Sequence, residues 1–377
     1  MAGSSRGPTR REVLVSGGSA AGLALAGCTG GDGDGDGNGS SDDGGGGGGS
    51  YTVSMEPVGE VTFESPPERW VANNGSWADM GVALGHEPPE ALWLTSRYHT
   101  RYYDGIPDVS VDTSGMTDLY QNGVDKELFY ELDADVHVID PNFLLNRYSG
   151  WEQADIDEID ESVGPFFGNS IFSQEYAWHD DYQYYTLYEA FGKLAEAFQE
   201  QERYEQFVAL HEEFQGRVEE IVPPEGERPE VAILWADGDQ PETFLPYLIS
   251  EGTSFKQWRD LGVRDALANS EVEDFHTNRG ELDFETLLEV DPEVLLLRGQ
   301  EGKTASEFQD TVVSFLENDD VASRLTAVQN GDVYRGGPLY QGPITNLVLT
   351  ERAAGQVYGI EEELFDRDEV AGIVTGQ

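Results

Sequence analysis

Apolar residues recur at helical spacing along residues 186–222 and predict the longest helix of the chain. They follow one another in steps of three or four from Leu187 to Phe198 and again from Phe207 to Ile221, and no proline interrupts the run before Pro223. A helix over the whole run is roughly 50 Å long, enough to join two domains. The spacing is irregular between Gln199 and Tyr204, so a bend or a break into two helices stays open at that point.

Two segments that flank this run share one sequence pattern. Residues 125–136 read DKELFYELDADV, and residues 283–294 read DFETLLEVDPEV. In each segment an acidic residue opens a short helix, a polar turn ends it, and an apolar strand follows. The register stays constant along both segments, which favours duplication of one unit. The chain is therefore predicted to contain two similar halves.

Strands alternate with helices in both halves. The predicted elements of the first half are strands at 69–73, 91–94, 109–111 and 137–139 and a helix at 76–84; those of the second half are strands at 231–235, 294–298 and 332–335 and helices at 254–261, 305–316 and 344–358. This alternation is typical of a mainly parallel sheet with helices on both faces. We therefore predict an α/β fold with two Rossmann-like lobes, joined by a single long interlobe helix.

The predicted boundaries divide the chain into consecutive segments. They are a signal at 1–28, a Gly/Asp/Ser-rich tether at 29–50, an N-terminal lobe at 51–181, the linking helix at 182–224, a C-terminal lobe at 225–360 and an acidic tail at 361–377. The tether has nothing to bury and is expected to stay hydrated and extended from the folded body.

The predicted signal at residues 1–28 combines two targeting motifs. Residues 9–14 read TRREVL, a twin-arginine export signal, and the apolar stretch that follows is too short to cross a membrane. Residues 25–28 read LAGC, which resembles the lipobox of secreted lipoproteins, whose cysteine is lipidated; the alternative is an ordinary secretory signal with an incidental cysteine. Cys28 is the only cysteine, which excludes an intrachain disulfide and a cysteine-based metal site. We expect a protein anchored through Cys28 at the extracellular face of the cytoplasmic membrane.

The charge of the chain is strongly negative. There are 73 Asp and Glu residues against 22 Lys and Arg residues, a formal net charge of −51. Such a surface repels nucleic acid and anionic lipid headgroups, so we exclude both as partners and expect membrane contact only through the lipid anchor. An acidic, lysine-poor surface is typical of adaptation to high salt, of haloarchaeal type, where salt screens the self-repulsion.

Further motifs carry a family resemblance. They are PPERWVA at 66–72, the two acidic-helix-then-strand units, and LTAVQNGDVY at 325–334. With two α/β lobes on a lipid-anchored chain, residues 61–360 resemble the substrate-binding lipoproteins of ABC importers for ferric siderophores, haem and cobalamin. The resemblance implies a monomer that binds its ligand in the interlobe cleft and delivers it to a membrane permease powered by a separate ATPase. It also implies docking on permease arginines through Glu127 and Glu285, which as helix-start acids are independently favoured by the helix dipole.

Ligand contacts are expected in the loops that follow the strands, because ligands of open α/β sheets bind beyond the carboxyl ends of the strands. The loop at 96–103 reads SRYHTRYY and concentrates cations and rings in a chain poor in cations. Guanidinium groups bind carboxylate or catecholate oxygens, and rings offer flat apolar contact, so this mix suits a large anionic or aromatic ligand. The alternative is a solvated loop with ordinary ion pairs. The predicted ligand-binding set is Asn74, Trp77, Arg97, Tyr98, His99, Arg101, Tyr102, Tyr176, Trp178, Trp235, Arg279, Arg298 and Tyr340.

Other kinds of function find less support. The residues Tyr98, His99 and Tyr102 and the run at 179–182 have donors for iron(III) or zinc, but the histidines are scattered and form no close pair, so we predict no bound metal and no cofactor. No catalytic signature is present, so we predict a binding protein, with a secreted acidic hydrolase or a structural surface lipoprotein as alternatives. A ferric siderophore or related iron chelate is the favoured ligand, and haem or cobalamin is the alternative of the same type.

Overall fold

The computed structural model describes residues 49–120, 123–174 and 176–377. Its helices are α1 (Gly75–Ala83), α2 (Lys126–Leu132), α3 (Pro141–Arg147), α4 (Gln153–Ser162), α5 (Leu187–Phe198), α6 (Gln201–Ile221), α7 (Lys256–Asp260), α8 (Phe275–Asn278), α9 (Phe284–Val290), α10 (Ala305–Phe308), α11 (Ser314–Asn318), α12 (Thr326–Asn330), α13 (Pro343–Tyr358) and α14 (Arg367–Thr375). A π-helical turn at Gln309–Val313 joins α10 to α11, which confirms the helix predicted for residues 305–316.

The strands form two main sheets and one hairpin. They are β1 (Tyr51–Met55), β2 (Gly59–Phe63), β3 (Trp70–Ala72), β4 (Ala91–Leu92), β5 (Thr117–Asp118), β6 (Val136–Val138), β7 (Glu230–Trp235), β8 (Leu245–Tyr247), β9 (Arg264–Asp265), β10 (Val294–Arg298) and β11 (Val333–Arg335). The first sheet has the order β5-β4-β3-β6 and is parallel throughout. The second has the order β11-β10-β7-β8, with β9 also paired to β7, and only β8 is antiparallel. The α/β fold with two mainly parallel lobes is confirmed; we call the part that carries each sheet the first and the second lobe.

The repeated sequence unit is also a repeated structural unit. Helices α2 and α9 each begin after an aspartate cap, Asp125 or Asp283, and each ends at an aspartate in the left-handed conformation, Asp133 or Asp291. The strands that follow, β6 and β10, pair directly with the first strand of their sheets, β3 and β7. The predicted correspondence between the two halves is therefore confirmed for this unit.

The apolar run at 186–222 folds as a helical hairpin. Helix α5 ends at Gln199, whose φ of 60° is left-handed, and α6 begins at Gln201. The two helices pack against each other, with the ring of Phe191 lying 5.3 Å from that of Tyr204 and 5.8 Å from that of Phe207. Of the two alternatives that the sequence left open, the break at this point is the correct one. The connection to the second lobe is made by α6, whose 21 residues span roughly 30 Å.

Several segments differ from the prediction, and the following are the clearest. Residues 109–111 are not a strand; the chain enters the first sheet later, at β5. The hairpin β1–β2 precedes the first sheet and joins α5 through the Tyr51 hydroxyl, which donates to the Ala197 carbonyl oxygen at 2.5 Å. The predicted tail contains α14, which contacts α6 and buries Val370 and Ile373 because its apolar side chains face the body of the protein.

The hydrophobic core is continuous through both lobes. One cluster contains residues of β3 and β6, of β7 and β10, and of the helices α1, α5, α6, α13 and α14. Two further clusters cover the opposite face of each sheet. The helices therefore form a shared packing layer to which both sheets are attached, and the exact lobe boundaries stay predictions.

The predictions about export and anchoring fall on residues 1–28, which lie outside the described residues. In the part of the chain that the structure describes, no helix combines the length and the apolar composition needed to cross a bilayer.

Candidate ligand-binding site

A cavity of about 870 Å³ is lined by residues of both lobes. The first lobe contributes residues that follow β4 and residues of α3, and the second contributes residues that follow β7 and β11 together with residues of β8. Most of these positions lie beyond the carboxyl ends of the parallel strands, where ligands of open sheets bind. The lining residues are Trp93, Leu94, Arg97, Tyr120, Gly123, Val124, Phe143, Arg147, Tyr148, Ser149, Phe172, Tyr176, Trp235, Asp237, Leu245, Tyr247, Phe275, His276, Arg279, Leu339 and Tyr340.

Aromatic rings form both walls of the cavity. In the first lobe the ring of Trp93 lies 4.3 Å from that of Tyr148 and 5.1 Å from that of Phe143. The two walls meet where the Tyr176 ring stands edge-on to the His276 ring at 5.8 Å. Rigid rings that already pack against one another offer flat contact area at little entropic cost.

Three arginines line the same cavity: Arg97 after β4, Arg147 in the last turn of α3, and Arg279 after α8. We call them the cavity arginines. Their charges reach shared tyrosines: burial raises the pKa of Tyr176, and Arg147 and Arg279 both act to lower it. The same opposition applies to the pKa of Tyr340, which burial raises and which Arg97 and Arg147 lower. The charges of the three guanidinium groups therefore act on tyrosines that line the same cavity.

The cavity arginines are not neutralised by the protein. In residues 49–120, 123–174 and 176–377, the ion pairs of the chain involve other cations, and none joins a carboxylate to Arg97, Arg147 or Arg279. The guanidinium of Arg97 lies 5.2 Å from the centre of the Trp235 ring, and that of Arg279 lies 4.7 Å from the centre of the Phe275 ring. Asp237, a carboxylate in the cavity lining, accepts a hydrogen bond from the Trp235 indole at 2.8 Å. The cavity thus carries positive charge in a strongly acidic protein.

The close approach of Trp235 depends on a glycine. Gly299 has a φ of +83°, and a Cβ atom at this position would lie 3.1 Å from the Trp235 ring and 3.0 Å from the Ala236 carbonyl oxygen. A side chain here would be strained and would displace the ring that Arg97 covers.

A second group of charged residues joins the two lobes beside the cavity. Glu301 is buried and accepts hydrogen bonds from both terminal nitrogens of Arg352, at 2.9 and 3.1 Å, and from the Tyr102 hydroxyl at 2.5 Å. Arg101 donates to the carbonyl oxygens of Gly302 and Lys303, and Arg335 donates to that of Lys303. We call Arg101, Tyr102, Glu301, Arg335 and Arg352 the latch. Burial alone would raise the pKa of Glu301, but the charge and hydrogen bonds of Arg352 outweigh it and lower that pKa to about 2.

A second buried carboxylate lies where α1 meets the start of α13. Asp79 accepts hydrogen bonds from the Tyr103 hydroxyl at 2.6 Å and from the backbone N–H groups of Ile344 and Thr345 at 2.9 and 3.2 Å. Burial raises the pKa of Asp79 to about 6, and these donors act in the opposite direction. Without an arginine partner, hydrogen bonds do not offset the desolvation of this carboxylate.

The structure divides the residues predicted from the sequence. Arg97, Tyr176, Trp235, Arg279 and Tyr340 line the cavity.

Several other predicted residues pack inside the first lobe. Asn74 caps α1 by accepting from the Ser76 N–H, and Trp77 is fully buried in the core. Tyr98 is buried, with its hydroxyl 2.8 Å from that of Tyr103. Trp178 stacks on Tyr176 with ring centres 4.3 Å apart, so it supports a lining residue.

The last four predicted residues surround the second lobe's contact with the 96–103 loop. Arg101 and Tyr102 belong to the latch, and His99 lines a smaller cavity of about 250 Å³ that shares Arg97 and Trp235 with the main one. Arg298 is fully buried and lies under the Tyr247 ring.

Sequence reasoning missed much of the first-lobe wall. Arg147, Tyr148 and Phe143 follow β6, as the 96–103 loop follows β4. The adjacent Arg147 and Tyr148 repeat the arginine–tyrosine pairing of Arg97 and Tyr98. The argument that ligands bind beyond the carboxyl ends of strands, applied to the strand predicted at 137–139, would have found them.

Glu127 and Glu285 occupy equivalent places. Each lies in the first turn of its short helix, α2 or α9, and each is exposed. The backbone N–H of Glu127 donates to the Asp125 cap at 3.3 Å.

No metal-binding group stands out in the described ranges, where no three His, Cys, Asp or Glu side chains lie together as ligands. The prediction that no metal is bound directly stays a prediction.

Comparison with known proteins adds the family. A family model described as periplasmic binding protein matches residues 151–339, half of the chain. The chain belongs to the periplasmic binding protein family. A search of curated protein sequences finds no match to this periplasmic binding protein.

Solved structures share the fold of this periplasmic binding protein at low sequence identity. The iron uptake ABC transporter substrate-binding protein PiuA from Streptococcus pneumoniae is 16% identical with a TM-score of 0.56, over 81% of this chain and 98% of that one. A periplasmic binding protein from Veillonella parvula is 15% identical with a TM-score of 0.57, over 83% and 99%. The triscatecholate siderophore binding protein FeuA from Bacillus subtilis, complexed with ferri-bacillibactin, is 14% identical with a TM-score of 0.54, over 82% and 98%. At these identities the likeness establishes the fold.

Proposed function

We propose that this periplasmic binding protein captures an anionic ferric chelate of the siderophore type and delivers it to an ABC permease. One observation carries the proposal: three arginines that pair with no carboxylate of the described residues face a cavity walled by aromatic rings, in a chain of net charge −51. Guanidinium groups left unpaired in such a chain favour an anion as the occupant. The rings favour flat aromatic groups, and a catecholate chelate of iron(III) supplies both.

The size of the cavity agrees with this ligand class. Its volume of about 870 Å³ falls in the range of pockets that enclose a whole small molecule, and residues from both lobes reach that molecule. The solved structures of similar fold support the same class, since one is an iron uptake ABC transporter substrate-binding protein and another is a triscatecholate siderophore binding protein.

The test is a binding titration that uses the protein's own tryptophans. Trp93 and Trp235 line the cavity, so a bound iron(III) chelate should quench their fluorescence. We expect a hexadentate catecholate chelate of iron(III) to bind with a Kd of about 1 μM or tighter. Haem, cobalamin and an uncharged hydroxamate chelate are run in parallel. If only haem or only cobalamin binds saturably, that compound and not a siderophore-type chelate is the ligand. If none of the four compounds binds, the proposal is contradicted.

Delivery is proposed to depend on Glu127 and Glu285, which are exposed at equivalent places on α2 and α9. Glu127→Arg with Glu285→Arg should abolish uptake by cells and leave the affinity for the chelate unchanged. Glu131→Arg with Glu289→Arg is the matched control, since these glutamates are exposed one turn later on the same helices. Loss of affinity in the first variant, or equal loss of uptake in both, would contradict a docking role.

The protein is proposed to act as a monomer held at the cell surface through Cys28. Cys28→Ser should release it from the membrane fraction into the medium without altering the affinity of the purified protein for the chelate. Retention of this variant in the membrane fraction would contradict lipid anchoring.

A further inference from the structure

Arg298 is a buried arginine whose charge has no carboxylate partner. The side chain is fully buried at the end of β10, and one terminal nitrogen donates to the Ser254 carbonyl oxygen. Its Nε and its other terminal nitrogen are buried and have no hydrogen-bond partner among residues 49–120, 123–174 and 176–377. A position that required only packing would be filled at lower free energy by an apolar side chain, because burying an unpaired charge is costly.

The guanidinium of Arg298 lies between aromatic rings. Its central carbon is 4.5 Å from the centre of the Phe255 ring and 5.5 Å from the centre of the Tyr247 ring. The faces of these rings carry partial negative charge, which offsets part of the cost of burial but leaves the net positive charge in place.

The nearest acids are already committed to other groups. Asp274 accepts from the backbone N–H groups of Leu248 and His276 at 2.9 and 2.7 Å. Glu301 is held by Arg352 in the latch. Arg298 therefore carries a buried positive charge at the end of β10, and no described carboxylate neutralises it by direct contact.

Tyr247 transmits this charge to the cavity. It lines the cavity, where it is in reach of a bound ligand. Burial raises the pKa of Tyr247, and the charge of Asp274 adds to that rise, while the charges of Arg298, Arg97 and Arg279 lower it. A phenol with a cation behind its ring is a stronger hydrogen-bond donor, and an anion at the cavity wall gains most from it.

We propose that Arg298 is a positioning residue that makes the cavity select anionic ligands, by holding an unneutralised positive charge behind the Tyr247 ring. This inference rests on the proposed function and adds a specificity to it: Arg298 discriminates between ligands by charge without touching them. Its effect therefore differs from that of the cavity arginines, which are exposed to the ligand directly.

The experiment compares two chelates of similar size and different charge. The probes are a hexadentate catecholate chelate of iron(III), which is strongly anionic, and a hexadentate hydroxamate chelate of iron(III), which is uncharged. In Arg298→Met we expect the affinity for the catecholate chelate to fall about tenfold more than that for the hydroxamate chelate. Equal losses for both probes, or no change in the ratio, would overturn the proposal.

Two further proteins separate this effect from a structural one. Arg259→Met is the matched control, because Arg259 donates to the carbonyl oxygens of Ser250 and Gly252 in the neighbouring turn and contacts no cavity ring; its affinity ratio should not change. Tyr247→Phe should lose most of the preference for the anionic probe, and it carries the test if Arg298→Met does not fold. An unchanged ratio in Tyr247→Phe would also overturn the proposal.

A measurement without ligand keeps this inference separable from the proposed function. The titration of Tyr247 is obtained as the difference in absorbance between each protein and its Tyr247→Phe version. The pKa of Tyr247 should be higher in Arg298→Met than in wild type, because the cation stabilises the phenolate. If wild type binds neither probe, the proposed function fails, and this titration still decides whether Arg298 acts on Tyr247.

Discussion

The cavity arginines and the latch arginines are the same residue type in different surroundings. Within the part of the chain that the structure describes, Arg97, Arg147 and Arg279 have no carboxylate partner, and they cover or adjoin aromatic rings. In the latch, Arg352 makes two hydrogen bonds to buried Glu301, while Arg101 donates to carbonyl oxygens across the lobe contact. The difference separates binding from stability. An arginine whose N–H groups are bonded to acceptors of the protein stabilises the fold, and an arginine without such acceptors is available to bind a ligand.

Glu301→Gln should produce the largest effect, on stability. It removes the negative charge at the centre of the latch and leaves the half-buried Arg352 and Arg335 without it. We expect the free energy of unfolding to fall by about 3–5 kcal/mol, as for other broken buried ion pairs. Denaturant unfolding measures it, and Glu317→Gln, at an exposed position, is the control. If the free energy of unfolding falls no more than in the control, the latch does not stabilise the fold, and the distinction between latch arginines and cavity arginines is wrong.

Arg147→Ala with Arg279→Ala should have the next largest effect, on binding. Each substitution removes an exposed guanidinium from the cavity, so we expect the affinity for the anionic catecholate chelate to fall about a hundredfold. The free energy of unfolding should stay within about 0.5 kcal/mol of wild type. Arg324→Ala, at an exposed position outside the cavity lining, controls for the change in net charge. Unchanged affinity would exclude these two residues from the site.

Arg97→Ala and Arg101→Ala form a matched pair within one loop. Arg97→Ala should weaken binding of the catecholate chelate about tenfold and leave stability unchanged. Arg101→Ala should do the reverse, lowering the free energy of unfolding by about 1 kcal/mol with no change in affinity, since its hydrogen bonds go to Gly302 and Lys303. Equal effects of both substitutions on affinity would mean that the latch belongs to the binding site.

The buried carboxylates of Glu301 and Asp79 should give opposite, smaller dependences of stability on pH. The pKa of Glu301 is lowered from 4.5 to about 2, so its stabilisation is complete above pH 4.5 and is lost as the pH falls towards 2. The pKa of Asp79 is raised from 3.8 to about 6, so the cost of its ionisation is absent below pH 3.8 and grows as the pH rises to about 6. Stability of wild type relative to Asp79→Asn should therefore fall with rising pH in the upper window, and relative to Glu301→Gln it should rise in the lower one. The same slope in both windows would contradict this account.

The loop at 96–103 shows why the candidate site was only partly predictable. Its composition indicated cations and rings near a ligand, and Arg97 does line the cavity. The same composition did not distinguish Arg101 and Tyr102, because their partners Lys303 and Glu301 are 202 and 199 positions away in the chain. Arg147 was missed for the complementary reason: its helix α3 was not recognised, so its place at the end of β6 was not considered.

The sequence by itself determined the repeating elements of this protein. Apolar periodicity and capping residues act over a few positions, so α2 with β6, α9 with β10, and the helical character of residues 186–222 could be predicted before any contact was known. Only the tertiary structure decided that α5 folds back on α6, and which arginines meet a carboxylate and which meet an open cavity. Those outcomes depend on distances between residues far apart in the chain, which local propensity does not contain.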